Sequence, residues 1–292
     1  MAAVEPTAHV HPGPPPNPPE LPEGARPSPP AWPPWTAPIA LIAGLTATLL
    51  GATVIGGIAA AAGAKISNPP PGVQIGSLLL QDLALIGAAL AFARLVTHPR
   101  PWHFGLRRTR PWRAAGWLVL IWVGFFVFTA IWISALDIHQ RDQLPKELGV
   151  DRSTAALLVV TFLVTVMAPI AEEFFFRGYF FAALRSWKGP WVAAAITGVV
   201  FGAIHGGSAP FGYLVPLAVF GFGLCLLYWR TGSLYPCMSL HALNNSLALG
   251  VSQHWSWQIP LLMVAANLVI GAIMLPLGRA APTAAATAPA SP

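Results

Sequence analysis

Apolar runs of about 20 residues, the length a bilayer-crossing helix needs, recur along the chain with short polar or proline-bearing gaps between them. They fall at Ala37–Ala62, Ile75–Val96, Arg113–Ala135, Thr154–Ile170, Trp191–His205, Phe211–Tyr228, Leu234–Gly250 and Trp257–Leu277. The pattern predicts an all-α, polytopic membrane protein with eight transmembrane helices. The fourth run continues through Leu184 and is too long for one straight crossing. Pro169 removes a helical hydrogen bond inside it, which predicts a kink or break just ahead of residue 172.

Outside the spans the pattern is lost. Residues 1–36 are dense in proline and hold little that builds a core, so they read as a disordered, polyproline-like tail. That tail has no basic segment leading directly into a short apolar stretch, unlike a conventional signal peptide. Residues 280–292, rich in Ala and Pro, read as a second disordered tail, leaving a membrane domain at 37–279.

Composition agrees with this reading. Hydrophobic residues make up 55% of the chain and charged residues 9%, against about a quarter charged in a soluble domain. The net charge of +6 is therefore loop charge near lipid headgroups and not a nucleic-acid footprint. Arg100, Arg107, Arg108, Arg110 and Arg113 crowd one loop, and Arg185 with Lys188, Arg230 and Arg279 mark every second boundary after it. Loops rich in Lys and Arg stay cytoplasmic, which places both termini inside. The mixed-charge loop 137–152 falls outside, and Lys65 is one mild exception there. The Ala/Pro-rich composition points to a bacterial plasma membrane.

Two cysteines, Cys225 and Cys237, are too few for a disulfide framework and sit in apolar surroundings as packing residues. The segment Trp102–Trp112 mixes Trp and Arg and reads as a short interfacial piece that anchors topology. His98, His103 and His139 fall in loops and read as solvated; His9 and His11 lie in the tail, and His254 at an interface.

The chemistry concentrates inside the spans. Glu172 and Glu173 stand together in an apolar run, with Arg177 four residues after Glu173. An ionisable residue within a membrane span costs at least a few kcal/mol and usually faces a protein interior. Residues four apart share a helix face, so Glu173 and Arg177 are read as a structural pair. Glu172 lies about 100° around the helix, with Phe175 and Phe176 where a basic partner would have to stand. It is read as the free, reactive carboxylate. Further on, Phe201-Gly-Ala-Ile-His205 ends an apolar run in a histidine, and His241-Ala-Leu-Asn-Asn245 puts a His and an Asn on one face. Asp82, beside Gln81 in the second span, is the other embedded acid and reads equally as a partner of the site or as a structural hydrogen-bonding residue.

Taken in order, Glu-Glu-x3-Arg, Phe-x3-His and His-x3-Asn resemble the motifs of the CPBP family of intramembrane proteases. That family includes the type II CAAX prenyl endopeptidases and the bacteriocin-processing and self-immunity proteins. The resemblance covers about residues 155–250 and implies peptide hydrolysis within the bilayer, acting on a membrane protein or peptide that in the CAAX branch is lipidated.

Such hydrolysis needs an activated water, a holder for the oxyanion and a proton for the leaving amine. A carboxylate in an apolar pocket can act as general base near neutral pH, a role that fits Glu172 with His205 positioning the water. His241 and Asn245 can donate to the oxyanion. The alternative is zinc held by Glu172, His205 and His241 with an open position, although the His-Glu-x2-His spacing of soluble zinc proteases does not occur. The metal-free version is the expectation.

Other classes compete. A buried His, Asn or Glu–Arg pair often only joins helices. A proton-coupled transporter would show inverted repeats, and the two halves do not pair convincingly. An inactive scaffold or immunity protein of the same fold differs from the enzyme only in assay. No Gly-x-Ser-x-Gly occurs, and Ser239 and Ser246 lack a paired base, which disfavours a serine nucleophile.

Overall fold

In lipid no water remains to satisfy backbone N–H and C=O groups, so a crossing chain must be helical or a closed barrel. The computed structural model describes residues 31–280 other than 66, 68 and 141–143, and these contain no strand. The tail expectations for 1–30 and 281–292 lie outside the described residues.

Helix α1 is Thr36–Ala61, α2 Pro71–Arg94 and α3 Pro111–Ala135. A single turn, α4 Leu144–Glu147, precedes α5 Thr154–Phe162. The chain stays helical through a π-segment at Leu163–Met167, α6 Ala168–Glu173, a second π-segment at Phe174–Phe181 and α7 Ala182–Ile204. Then follow α8 Leu214–Thr231, α9 Tyr235–Ser252 and α10 Gln258–Met274. Pro71 and Pro111 open α2 and α3, where the missing N–H costs nothing and the fixed φ suits a helix.

Five stretches are long and apolar enough to cross a membrane, among them one of 54 residues, Thr154–Gly207, and α10 is a shorter apolar helix. The 54-residue stretch makes two passes, because Gly189 at φ 74° and ψ 176° breaks α7 just before Pro190. Helix α9 is as long as α8 but carries Ser239, His241, Asn244, Asn245 and Ser246, which lower its apolarity. Together these give eight long helical segments among the described residues, the number of runs in the hydropathy pattern, in an integral membrane protein.

Three details differ from expectation. Pro169 does not break the chain: backbone dihedrals are α-helical on both sides, at Met167 and Phe174. The preceding turn widens instead, with the Ala168 N–H donating to the Leu163 carbonyl five residues back. Such π-turns take up a disrupted ladder within an otherwise continuous helix. Second, the 1–36 tail is packed at its inner end. Trp32 is buried and stacks at 5.0 Å on both Phe104 and Tyr179, and Thr36 accepts a 2.7 Å hydrogen bond from the Tyr179 hydroxyl. Third, Trp102–Trp112 is half buried, its second half from Arg108 to Trp112 staying largely exposed. Trp102, His103, Phe104 and Leu106 are buried, and the His103 Nδ1 accepts from the Arg100 N–H at 3.1 Å. Its backbone is tied to the α8–α9 turn, by Leu234 N–H to Gly105 O at 2.9 Å and Ser233 Oγ to Arg107 O at 2.6 Å. Apolar side chains in a loop report burial only when their partners are known, and those of Phe104, Trp32 and Phe174, lie about 70 residues away on either side.

The ends of the helices gather into two faces. On one, the α2–α3 loop meets the α8–α9 turn, and Tyr235 of α9 hydrogen-bonds the Met274 carbonyl at the end of α10. On the other, the Trp132 indole N–H reaches the Gly212 carbonyl at 2.9 Å, and Gly149, just after α4, lies against Pro71.

Candidate active site

The site is built on the stretch between the two π-segments. Glu172 and Glu173 close α6 and are buried, as is every residue of the following π-segment. Arg177 donates from Nη1 to Glu173 Oε1 at 2.9 Å, with both side chains fully buried, and from Nη2 to the Gly221 carbonyl of α8 at 3.0 Å. Its guanidinium lies 4.6 Å from the centre of the Phe201 ring. The expected i, i+4 pair therefore forms and is itself tied to two neighbouring passes.

Glu173 has a second partner that helical spacing does not show. His241 of α9 places Nδ1 2.8 Å from the same Oε1. A carboxylate paired with a guanidinium only accepts hydrogen bonds, so Nδ1 carries the proton. In the neutral ring Nε2 is then left as a lone pair. His205 is held the same way, with Nδ1 2.7 Å from the Phe201 carbonyl, which also only accepts. The edge of His241 rests on Phe201 and Phe220.

Both rings turn Nε2 toward one atom. Glu172 Oε2 lies 4.0 Å from His205 Nε2 and 3.9 Å from His241 Nε2. It is buried and makes no direct hydrogen bond to the protein. These separations are too long for a hydrogen bond. They suit one water between each pair, since two contacts of about 2.8 Å at roughly a right angle span about 4 Å. A tetrahedral zinc at ordinary bond lengths would need donors about 3.3 Å apart. As placed, Glu172, His205 and His241 do not meet that spacing, and among the described residues no group of three or more His, Cys, Asp or Glu is arranged to hold a metal ion.

Glu172, His205 and His241 share a cavity of about 440 Å³ with Asn244, Asn245 and Gln81, its walls otherwise mostly apolar. Asn245 donates from Nδ2 to the Val164 carbonyl at 2.9 Å, in the first π-segment. Asn244 and Gln81 escaped the sequence reading; their adjacency to Asn245 and Asp82 was the available signal. Asp82 does not line the cavity. It is fully buried in α2, within electrostatic reach of Glu172, and neither carboxyl oxygen has a hydrogen-bond partner. Of the other candidates, Cys225 and Cys237 are buried free thiols, and Ser239 donates to Asn267 at 2.5 Å. His98 and His254 are exposed, and His139 pairs with Asp137 at the surface.

Residues 154–247 match the family model described as Type II CAAX prenyl endopeptidase Rce1-like. The match covers about a third of the chain and spans Glu172, Glu173, Arg177, His205, His241 and Asn245, the same positions that carry the resemblance to the CPBP family. None of the curated proteins and none of the solved structures matches the chain.

Proposed function

With the family match over residues 154–247 as the premise, we propose that the chain is a glutamate-dependent intramembrane endopeptidase of the CPBP type. Its substrate is a membrane-associated protein or peptide, processed as CAAX tails or bacteriocin-type and sorting signals are. The observation that carries this is the convergence of two imidazole Nε2 atoms on one buried, unpartnered carboxylate oxygen at 4.0 and 3.9 Å.

In this reading Glu172 takes a proton from a water that it shares with His205, and the resulting hydroxide attacks the scissile carbonyl. Apolar walls strengthen each of these interactions by excluding solvent. Glu173 fixes the orientation of His241 through Nδ1; the ring takes a proton at Nε2 from solvent before the cycle begins and donates that N–H to the oxyanion throughout, so the cycle itself consumes no further proton. Asn245 spends one amide hydrogen on Val164 and keeps the second for the same oxyanion. The proton on Glu172 then passes to the leaving amine. Asp82, buried in α2 with neither carboxyl oxygen partnered, stands within electrostatic reach of Glu172 as a supporting acid of the site. The basic face is cytoplasmic in this reading, in a bacterial plasma membrane, with both termini on that side.

The scaffold reading leaves the paired imidazoles without a task, and the transporter reading uses Glu172, Asp82 and the histidines as a proton relay with no peptide cleaved. The test is Glu172→Gln, which keeps shape but removes the base. Cleavage falls by about two to four decades, while yield and melting temperature hold. The same assay with exhaustive chelation and elemental analysis tests the metal alternative. One equivalent of zinc that leaves and returns together with activity overturns the glutamate-only chemistry while leaving proteolysis standing. Unchanged cleavage in Glu172→Gln overturns the site.

A further inference from the structure

The cavity is not centred between the two faces; it opens toward one. Its outer lining is Leu144, Pro145 and Leu148 around α4, with Gly207, Ser208 and Ala209 after α7. All six lie in the loops that meet at the Trp132, Gly212 and Pro71 face. Gly207 and Ser208 are exposed, and His205 is itself one-fifth exposed at that rim.

The two faces differ in charge. The opposite face carries Arg100, Arg108, Arg110, Arg185, Lys188 and Arg230 and, among the described residues of its loops, no Asp or Glu. The cavity face balances Lys65, Lys146 and Arg152 against Asp137, Glu147 and Asp151. An excess of Lys and Arg in short loops sets which side stays in the cytoplasm. The closed, basic face is thereby cytoplasmic and the open one is not. The buried aromatic cluster of Trp32, Phe104, Phe174 and Tyr179 closes the bundle between the site and the basic face.

We infer that the site receives its substrate from the non-cytoplasmic side, and that the substrate is an uncharged, extended segment of an exported polypeptide lying close to the membrane. This rests on the proteolytic reading above and narrows it. The lining supports the substrate chemistry. Leu78, Val164, Leu217 and Leu249 offer apolar contact, and the amides of Gln81, Asn244 and Asn245 can satisfy the backbone of an extended peptide. No Lys or Arg lines the cavity to meet a carboxylate or phosphate. An approach from the cytoplasm would have to pass the aromatic cluster and the tied-down α2–α3 loop.

Two measurements on the full-length protein in its own membrane test this. The first is labelling of Ser208→Cys and Arg108→Cys with a membrane-impermeant maleimide, the native thiols at 225 and 237 being buried. Ser208→Cys labels in intact cells and Arg108→Cys only after permeabilisation. The reverse order, equal labelling of both, or a Ser208→Cys thiol silent in intact cells overturns the inference. The second compares peptide termini between cells carrying the wild type and Glu172→Gln. New termini that vanish in the variant map to exported or surface-anchored proteins. If they map to cytoplasmic proteins, the direction of access is wrong and proteolysis stands. If no termini change, proteolysis itself falls, and the substrate with it, whatever the labelling shows.

Discussion

Helix α3 and the 154–207 stretch are both apolar enough to cross a bilayer, yet they face different surroundings. Along α3 only Ala114 and Phe125 are buried within the protein, whereas 44% of the most apolar window in 154–207 is. Helix α3 shows Val119, Val123, Val127 and Ile131 to lipid. The other stretch buries Ala193, Ala194, Thr197, Gly198, Phe201 and Gly202. Lipid tails are as apolar as leucine, so apolarity does not draw helices together in a membrane; close packing by small residues and interhelical hydrogen bonds does. Ala194, Gly198 and Gly202, four apart, form such a small-residue face, and α8 packs directly on it at Ala218 and Phe222. The polar partners follow in the same stretch: Glu172, Glu173 and Arg177 before the fold-back at Gly189, and His205 at its end.

This contrast is open to attack first through the buried ion pair. Arg177→Ala leaves Glu173 in a dry interior with His241 as its remaining partner, a loss of about 3–5 kcal/mol. The expected outcome is a lower yield and melting temperature in detergent together with lost cleavage. A variant as stable as wild type but inactive would move Arg177 from holding the bundle to handling substrate. Asn245→Ala comes next. Losing an oxyanion donor costs about 10²–10³-fold in turnover, while the lost Val164 hydrogen bond costs about 1 kcal/mol of stability. A stability loss larger than the activity loss would make Asn245 a strut of the π-turn.

Two glycine variants then compare the regions directly. At Gly198 a methyl group would sit 2.6 Å from the Ala218 carbonyl oxygen and 2.9 Å from the Phe222 nitrogen, both backbone atoms of α8. Gly198→Ala is expected to destabilise by about 1–3 kcal/mol through overpacking, read as a lowered thermal midpoint. Gly124 in α3 has nothing within 4 Å of that position. Gly124→Ala should change stability by no more than the helix-propensity difference, about 1 kcal/mol in the favourable direction. Equal effects at the two sites would mean that α3 is covered by protein in the native membrane, as in a homo-oligomer.

The local part of the site was legible in the sequence because it obeys helical spacing. Glu173 and Arg177 are four apart, and they pair. Glu172 has no basic residue within a turn, and its Oε2 is unpartnered. The positions of Gly189 and Pro190 divide the long apolar run as the hydropathy pattern requires. Pro169 misled, because the ladder it interrupts is taken up by a wide turn and not by a kink. Trp32 misled too: a single aromatic in a proline-rich stretch carries no periodicity, and its burial depends on Phe104 and Tyr179.

By itself the sequence determined the membrane class, the succession of apolar helices, the charge asymmetry of the loops and the order of the polar motifs. Each of these follows from local composition or from spacing within one helix. Only the tertiary structure decided that Glu173 serves His241 as well as Arg177, that two Nε2 atoms meet at Glu172, and that Asn245 is bound to Val164. It alone decided that the cavity opens on the face whose charges balance. Those are contacts between helices, separated by 68 and 81 residues for His241 and Asn245. In a membrane, apolar patterning cannot specify such contacts, because every outward face of every helix is equally at home in lipid.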